Sequence, residues 1–186
     1  MNLSFILIQL IGLVAWFFLV LSYYRKDTNK ILAFQIIATF LYCIHYYLLG
    51  AYSGLFICVF EVLADFGYYK TNWDNYIYIA SIPLRIIGGL ISYEVIIDTF
   101  PIIASLIDGY SLTKKKKIVI IGAIISYTLW VIYDIAVKSY SGALTDGIIA
   151  ISNISILLFD KSLFKGNKNI IKKNSISLKK NKVLQK

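Results

Sequence analysis

The chain is divided into apolar segments of close to 20 residues, separated by short polar or charged stretches. A helix needs about 20 mainly apolar residues to cross the hydrocarbon core of a bilayer. In that core the backbone must satisfy its own hydrogen bonds, which favours helices. We therefore predict an all-α membrane protein with seven transmembrane helices. The predicted spans are 3–22, 31–49, 52–70, 75–92, 96–112, 118–137 and 140–159.

Composition supports a membrane protein. Of the 186 residues, 59% are hydrophobic and 16% are charged, whereas a soluble domain is about half apolar and a quarter charged. The net charge of +9 would suggest a nucleic-acid partner in a soluble protein. Here the position of the basic residues gives it another cause, so the expected partner is the lipid bilayer and not nucleic acid.

The basic residues predict an orientation. If the N-terminus is outside, 17 of the 19 Lys and Arg residues fall on the inner side of a seven-span chain. Cytoplasmic loops of membrane proteins carry this excess of basic residues. We predict an outside N-terminus and a cytoplasmic C-terminus. The segment 161–186 contains nine lysines and no acidic residue, and we expect it to be a disordered basic cytoplasmic tail.

An internal repeat is visible at an offset of 88 residues. LYCIHYYLLGAYSG (41–54) and LWVIYDIAVKSYSG (129–142) agree at five of 14 positions, including YSG. The same offset carries spans one, two and three onto spans five, six and seven. It predicts two three-helix repeats, 1–70 and 96–160, joined by a linker helix within 71–95. Two parallel repeats with a solute site near the midplane are one known transporter arrangement.

Two longer runs resemble the YgjV family of bacterial inner membrane proteins. They are DTNKILAFQIIATFLYCIHYYLLGAYSG and WVIYDIAVKSYSGALTDGIIAISNISILLF, and the segment FPIIASLI around Pro101 is similar as well. The resemblance covers about residues 5–160. It implies a multi-pass protein of the bacterial inner (cell) membrane, and it implies no particular substrate.

The layout of three, one and three helices is more distantly similar to the SWEET and PQ-loop superfamily of small-solute carriers. That resemblance implies a substrate pocket with polar residues from the third and seventh helices and further residues from the second and sixth. The positions that match here are Asp65, Asn153, Tyr42 and Trp130. The chain has no Pro-Gln dipeptide, so neither a sugar substrate nor the usual hinge mechanism is carried over.

Charged residues inside the spans point to the interior of the bundle. A charged side chain at a helix centre costs roughly 2.5–3.5 kcal/mol on insertion scales, so it faces a neighbouring helix or a wet cavity. Glu61 and Asp65 are four residues apart and share a helix face. Asp65 either lines the pocket or makes a helix-packing hydrogen bond. Glu61 either modifies that site or pairs with Arg85, for which Asp65 and Asp108 are the other candidate counter-ions.

Other polar and aromatic residues leave alternatives open. His45, near the outer end of span two, is either a proton carrier or a hydrogen-bonded interfacial residue. Asp146, one turn into span seven, is a candidate outer-gate or helix-start carboxylate. Tyr42 and Trp130 either stack on a ligand or pack the core. Tyrosines at span ends are expected to form an interfacial aromatic belt, namely Tyr23, Tyr24, Tyr46, Tyr47, Tyr52, Tyr68, Tyr69 and Tyr140.

The functional prediction is a carrier or facilitator for an unidentified small polar solute. Spans 1–3 would rock against spans 5–7 around a midplane pocket. The alternative is a receptor or scaffold whose buried polar residues only hold helices together. No Ser/His/Asp set, zinc-ligand cluster or glycine-rich phosphate loop is in register, so we expect no enzyme activity, cofactor or metal. Homo-oligomerisation stays open.

Overall fold

The computed structural model describes residues 3–25, 27–71 and 80–159. These ranges contain seven α-helices and no strand, which confirms the all-α prediction. A short 3-10 turn, Ile96–Asp98, precedes the fifth helix. The helices are α1 Leu3–Tyr23, α2 Thr28–Leu49, α3 Tyr52–Thr71, α4 Ile82–Ile91, α5 Thr99–Ser111, α6 Lys116–Ala136 and α7 Tyr140–Phe159.

Four of the described helices, α1, α2, α6 and α7, are both long and apolar enough to cross a membrane. Helix α3 has the length, 20 residues, but carries Glu61 and Asp65 within its apolar run. Helix α4 is a shorter apolar helix of 10 residues. For α1, α2, α3, α6 and α7, the predicted bounds agree with the structure to within three residues.

The fourth and fifth predicted spans compare differently with the structure. Residues 75–79 of the predicted span 75–92 lie outside the described residues. The bounds of the predicted span 96–112 agree with the structure to within one residue, because the 3-10 turn Ile96–Asp98 runs directly into α5, which ends at Ser111. Asp98 Oδ2 accepts hydrogen bonds from the backbone nitrogens of Glu94 (3.0 Å) and Val95 (2.9 Å), which hold the chain in a turn. Pro101 then lies in the first turn of α5, where its missing N–H is tolerated.

The helix surfaces fit a lipid environment. Only 11% of the apolar stretch of α1 and 17% of that of α7 is buried in the protein. Large apolar side chains such as Phe17 (57% exposed) and Leu158 (69% exposed) point outward. Monomeric soluble proteins rarely expose contiguous apolar surface of this extent, so the surface agrees with an integral membrane protein.

Helix contacts form a closed circuit. Sequential helices pack in the pairs α1–α2, α2–α3, α5–α6 and α6–α7, while α1 also contacts α7 and α3 contacts α5. Helix α4 packs against α3 and α5. We call the six helices α1, α2, α3, α5, α6 and α7 the ring. We call α1–α3 the first half and α5–α7 the second half. If α1, α2 and α3 are exchanged with α5, α6 and α7, the ring has the same set of contacting pairs.

Helix bounds and turns also follow the 88-residue offset. Helices α3 and α7 begin at Tyr52 and Tyr140 and both have 20 residues. The α2–α3 hairpin contains Gly50 with φ 73°, and the α6–α7 hairpin contains Lys138 with φ 62°. A left-handed residue after a helix satisfies its last carbonyls and favours glycine. The two hairpins therefore use the same backbone device at equivalent positions, one of them without a glycine.

An aromatic core joins α2 and α6 inside the ring. The ring centroids of Tyr46 and Trp130 are 5.8 Å apart in a stacked pair, and those of Trp130 and Tyr133 are 5.8 Å apart edge to face. Ile57 of α3 and Ala104 of α5 are fully buried in the same cluster. Such aromatic pairs contribute beyond their buried area, so this core fixes where the two halves meet.

Candidate functional site

Two adjoining cavities lie within the bundle. The larger has a volume of about 480 Å³ and takes lining residues from all seven described helices. The smaller has a volume of about 120 Å³. Small-molecule sites in proteins usually occupy about 300–1,000 Å³, so the larger cavity has the size of a ligand site. The residues that line both cavities are Leu19, Thr39, Glu61, Tyr127 and Trp130.

The four predicted substrate-binding residues all lie around these cavities. Asp65, Asn153 and Trp130 line the larger cavity, and Tyr42 and Trp130 line the smaller. Asn153 Nδ2 donates to the Ile149 carbonyl at 2.9 Å. This bond leaves the Asn153 carbonyl oxygen available as an acceptor. The binding roles of the four residues stay predictions.

Arg85 is placed between α3 and α5. Its side chain is buried, with the residue only 2% exposed. Nη1 lies 3.5 Å from Glu61 Oε1 and 3.3 Å from the Ser105 carbonyl, and Nε donates to Ser81 Oγ at 3.1 Å. Of the three candidate counter-ions, the structure thus places Glu61 in contact. Because a guanidinium needs partners in a low-dielectric interior, these bonds explain how Arg85 is accommodated.

The cavities carry more acidic than basic side chains. Among the described lining residues of the larger cavity, Glu61, Asp65 and Asp108 are acidic and Arg85 is basic. Asp146 lines the smaller cavity. The Asp108 carboxylate accepts no hydrogen bond from a described residue, and the Ser111 hydroxyl and the Leu112 backbone N–H donate to its backbone carbonyl instead. The site therefore holds charged groups of both signs, and the Asp108 carboxylate keeps hydrogen-bonding capacity for a further partner.

His45 lies outside both cavities and is completely buried. Its Nδ1 donates to the Ile8 carbonyl at 2.9 Å, and its Nε2 lies 2.9 Å from Ser139 Oγ. His45 is thus hydrogen-bonded, as one of its two interpretations predicts, but it packs inside the protein and not at its surface. The side chain is internal because α1 and the α6–α7 hairpin supply a partner for each ring nitrogen. A role as a proton carrier stays a prediction.

Sequence reasoning missed a buried polar pair beside His45. Tyr46 Oη donates to Asp134 Oδ1 at 2.8 Å, and Asp134 is completely buried. The assignment of Tyr46 to the interfacial belt is wrong, since it is 3% exposed. The 88-residue offset of the predicted repeat could have indicated this pair, because Tyr46 and Asp134 are 88 positions apart. If a two-fold axis relates the two halves, equivalent residues close to that axis lie next to each other.

Further bonds join the two halves at the same end of the bundle. Gln9 Nε2 donates to the Lys138 carbonyl at 2.9 Å, and the Ser141 backbone N–H donates to Gln9 Oε1 at 2.9 Å. The Gly54 backbone N–H donates to Tyr133 Oη at 2.9 Å. With Tyr46–Asp134 and His45–Ser139, these contacts form what we call the closed end of the bundle. All of them pair one residue of the first half with a residue from Tyr133 to Ser141.

Within the described residues, no group of three or more His, Cys, Asp or Glu side chains is arranged to hold a metal ion. Cys43 and Cys58 are both free and buried.

Comparison with protein families gives a match over residues 6–160, to the bacterial inner membrane protein family Imp-YgjV. The chain belongs to this family. The match extends from the first described helix to the last, so the whole described bundle is the family's domain. No curated protein and no solved structure matches the chain. The apolar helix surfaces of this YgjV-family protein agree with an inner-membrane location.

Proposed function

We propose that this YgjV-family protein is a carrier or facilitator for a small polar solute. The observation that carries the proposal is the cavity of about 480 Å³, lined from every described helix. Charged residues are costly in a membrane bundle and mark solute or ion pathways. A polar cavity enclosed by lipid-facing helices gives such a solute a place to bind near Asp65 and Asn153.

The closed end supports a mechanism of alternating access. The hydrogen bonds Tyr46–Asp134 and His45–Ser139 connect the two halves there. The lining of the larger cavity extends toward the opposite end, to Leu112 and Val119 on either side of the α5–α6 loop. Rocking of the first half against the second would break the bonds of the closed end and open the cavity on that side. In the predicted orientation, the closed end faces outward.

The helix bounds support the arrangement of two parallel three-helix repeats with α4 as linker, the 3+1+3 layout of SWEET-like carriers. Helices α2 and α3 recur as α6 and α7 at the 88-residue offset to within one residue. The closed circuit of helix contacts is unchanged when the two halves are exchanged. Parallel-repeat carriers place the solute at the interface between such units.

A receptor or scaffold without transport activity is the second candidate. The observation in its favour is that Arg85–Glu61 and Tyr46–Asp134 tie helices together whether or not a solute is bound. In that case, replacing Asp65 lowers stability and changes no flux, because no solute crosses.

A two-step experiment tests the proposal. The detergent-solubilised protein is screened for thermal stabilisation by small polar metabolites, and each stabilising compound is then followed into proteoliposomes. A carrier is stabilised by one chemical class and accelerates its uptake over protein-free liposomes. If no compound stabilises the protein and no uptake occurs, the carrier proposal is wrong.

A further inference from the structure

Arg85 has unused hydrogen-bonding capacity although it is buried. Its Nε and Nη1 donate to Ser81, Ser105 and Glu61, but no described residue accepts from Nη2. Arg85 lines the larger cavity. Within the described residues, Asp134 Oδ2 is the only fully buried side-chain atom without a hydrogen-bond partner, so Nη2 of Arg85 is accessible to the cavity. A guanidinium N–H makes strong, charge-assisted hydrogen bonds to carboxylates. A bound carboxylate in the cavity would therefore find a donor in Nη2.

Two carboxylates lie one helical turn from the residues that Arg85 contacts. Asp65 follows Glu61 by four residues on α3, and Asp108 follows Ser105 by three residues on α5. With a rise of 1.5 Å per residue, these offsets correspond to about 6 Å and about 4.5 Å along the helix axes. Residues three or four apart share a helix face. Both acids line the same cavity as Arg85.

The two acids are displaced from Arg85 toward the same end of the bundle. Ser53, near the start of α3, bonds Ser92, which precedes α5 in the chain. Further along both helices, Arg85 contacts Glu61 and Ser105. Helices α3 and α5 therefore run in the same direction. The cavity thus has the Arg85–Glu61 pair at one level and the carboxylates of Asp65 and Asp108 about one helical turn further along α3 and α5.

From this arrangement we infer that the larger cavity binds a small zwitterion, a solute with one carboxylate and one ammonium group. The inference deepens the proposed carrier function and rests on it for its biological role. The solute carboxylate pairs with Arg85, and the ammonium group pairs with Asp108 at the level of Asp65. A simple cation would make no use of the Nη2 donor of Arg85. A simple anion would lie against the carboxylates. Trp130 and Tyr127 supply aromatic walls suited to an ammonium group.

Binding to the full chain in detergent tests the inference. The probes are the common L-α-amino acids, followed by the decarboxylated amine and the deaminated acid of whichever one stabilises most. The zwitterion is expected to raise the melting temperature by about 2–4 °C at a concentration well above its dissociation constant. The two truncated probes are expected to give less than a third of that shift. An equal shift with the amine alone, or no shift with any amino acid, would overturn the inference.

Variants place the binding in this cavity. Asp108→Asn keeps the shape of the side chain and is expected to remove the zwitterion-induced shift. The double variant Glu61→Gln/Arg85→Gln avoids an unpaired charge and is expected to remove it as well. Glu94→Gln changes an exposed carboxylate that is not among the described lining residues, and it is expected to keep the full shift. An undiminished shift in the Asp108→Asn protein would overturn the inference.

Flux measurements separate this inference from the proposed function. Binding of the zwitterion without its uptake into proteoliposomes contradicts the carrier function and leaves the binding site in place. Uptake of an uncharged solute at a rate that Asp108→Asn does not change contradicts the zwitterion site and leaves the carrier function in place.

Discussion

Tyr46 donates a hydrogen bond to Asp134 across 2.8 Å, and the two residues occupy equivalent positions in the two halves of the chain. Both are buried. Their contact joins α2 to α6 at the closed end, where Trp130 and Tyr133 pack around Tyr46. One buried bond thus connects the first half to the second half at positions that are 88 residues apart.

Removing this bond is expected to destabilise the protein. Tyr46→Phe leaves the buried Asp134 carboxylate without its donor, which costs about 1–3 kcal/mol of unfolding free energy. Thermal or denaturant unfolding in detergent micelles measures the loss. Tyr47→Phe is the matched control, because Tyr47 is 61% exposed and is expected to give no measurable change. Equal stability of the two variants would contradict the role assigned to Tyr46.

The close approach at Gly142 gives a second prediction. A Cβ atom at Gly142 would overlap Asp134 Oδ2 and Ser139 Oγ, whereas one at Gly147 would meet only Val131 Cγ2, at 4.0 Å. Overpacking a filled site costs about 1–3 kcal/mol. Gly142→Ala is therefore expected to lower the melting temperature, and Gly147→Ala on the same helix is expected to leave it unchanged or slightly raised. A neutral Gly142→Ala substitution would mean that the hairpin is looser than the structure shows.

The Glu61–Arg85 pair is expected to show coupling. Glu61→Gln leaves the buried guanidinium without its counter-charge and is expected to cost about 1–3 kcal/mol, below the value for a fully buried pair because the Glu61 side chain is 29% exposed. Adding Arg85→Gln is expected to recover part of that loss, so that the double-mutant cycle gives a coupling energy of about 0.5–2 kcal/mol. Additive losses would show that the two side chains do not interact.

The orientation of the chain can be tested with single cysteines. In a background with Cys43 and Cys58 replaced by alanine, Lys138→Cys is expected to react with a membrane-impermeant maleimide on intact cells. Lys115→Cys is expected to react only after permeabilisation. The reason is that 17 of the 19 basic residues were assigned to the inner side. The opposite labelling pattern would reverse the predicted topology.

Helix positions were largely predictable because long apolar runs and the hairpin signal YSG mark them directly. The 3-10 geometry of the first turn, Ile96–Asp98, was not predictable, because hydropathy does not register that the Asp98 side chain bonds the backbone of Glu94 and Val95.

The candidate site was only partly predictable for a related reason. The sequence repeat and the resemblance to SWEET-like carriers selected Asp65, Asn153, Tyr42 and Trp130, and all four line the cavities. The hydrogen bonds of the closed end were not predicted, because a histidine or tyrosine near a span end has the same local sequence whether it faces headgroups or the interior. His45 lies in the interior because its hydrogen-bond partners are on α1 and in the α6–α7 hairpin, which are far from it in the sequence.

The most direct test of the central claim, that a small polar solute crosses through the cavity beside Asp65 and Asn153, is the initial rate of its uptake into proteoliposomes. Wild type, Asp65→Ala and Asn153→Ala are compared at equal reconstituted amounts. Ser155→Ala, an exposed position on α7, serves as control. The two cavity variants are expected to lose about tenfold or more in rate, which corresponds to about 1.4 kcal/mol, while the control keeps the wild-type rate. Wild-type rates in both cavity variants would contradict the claim.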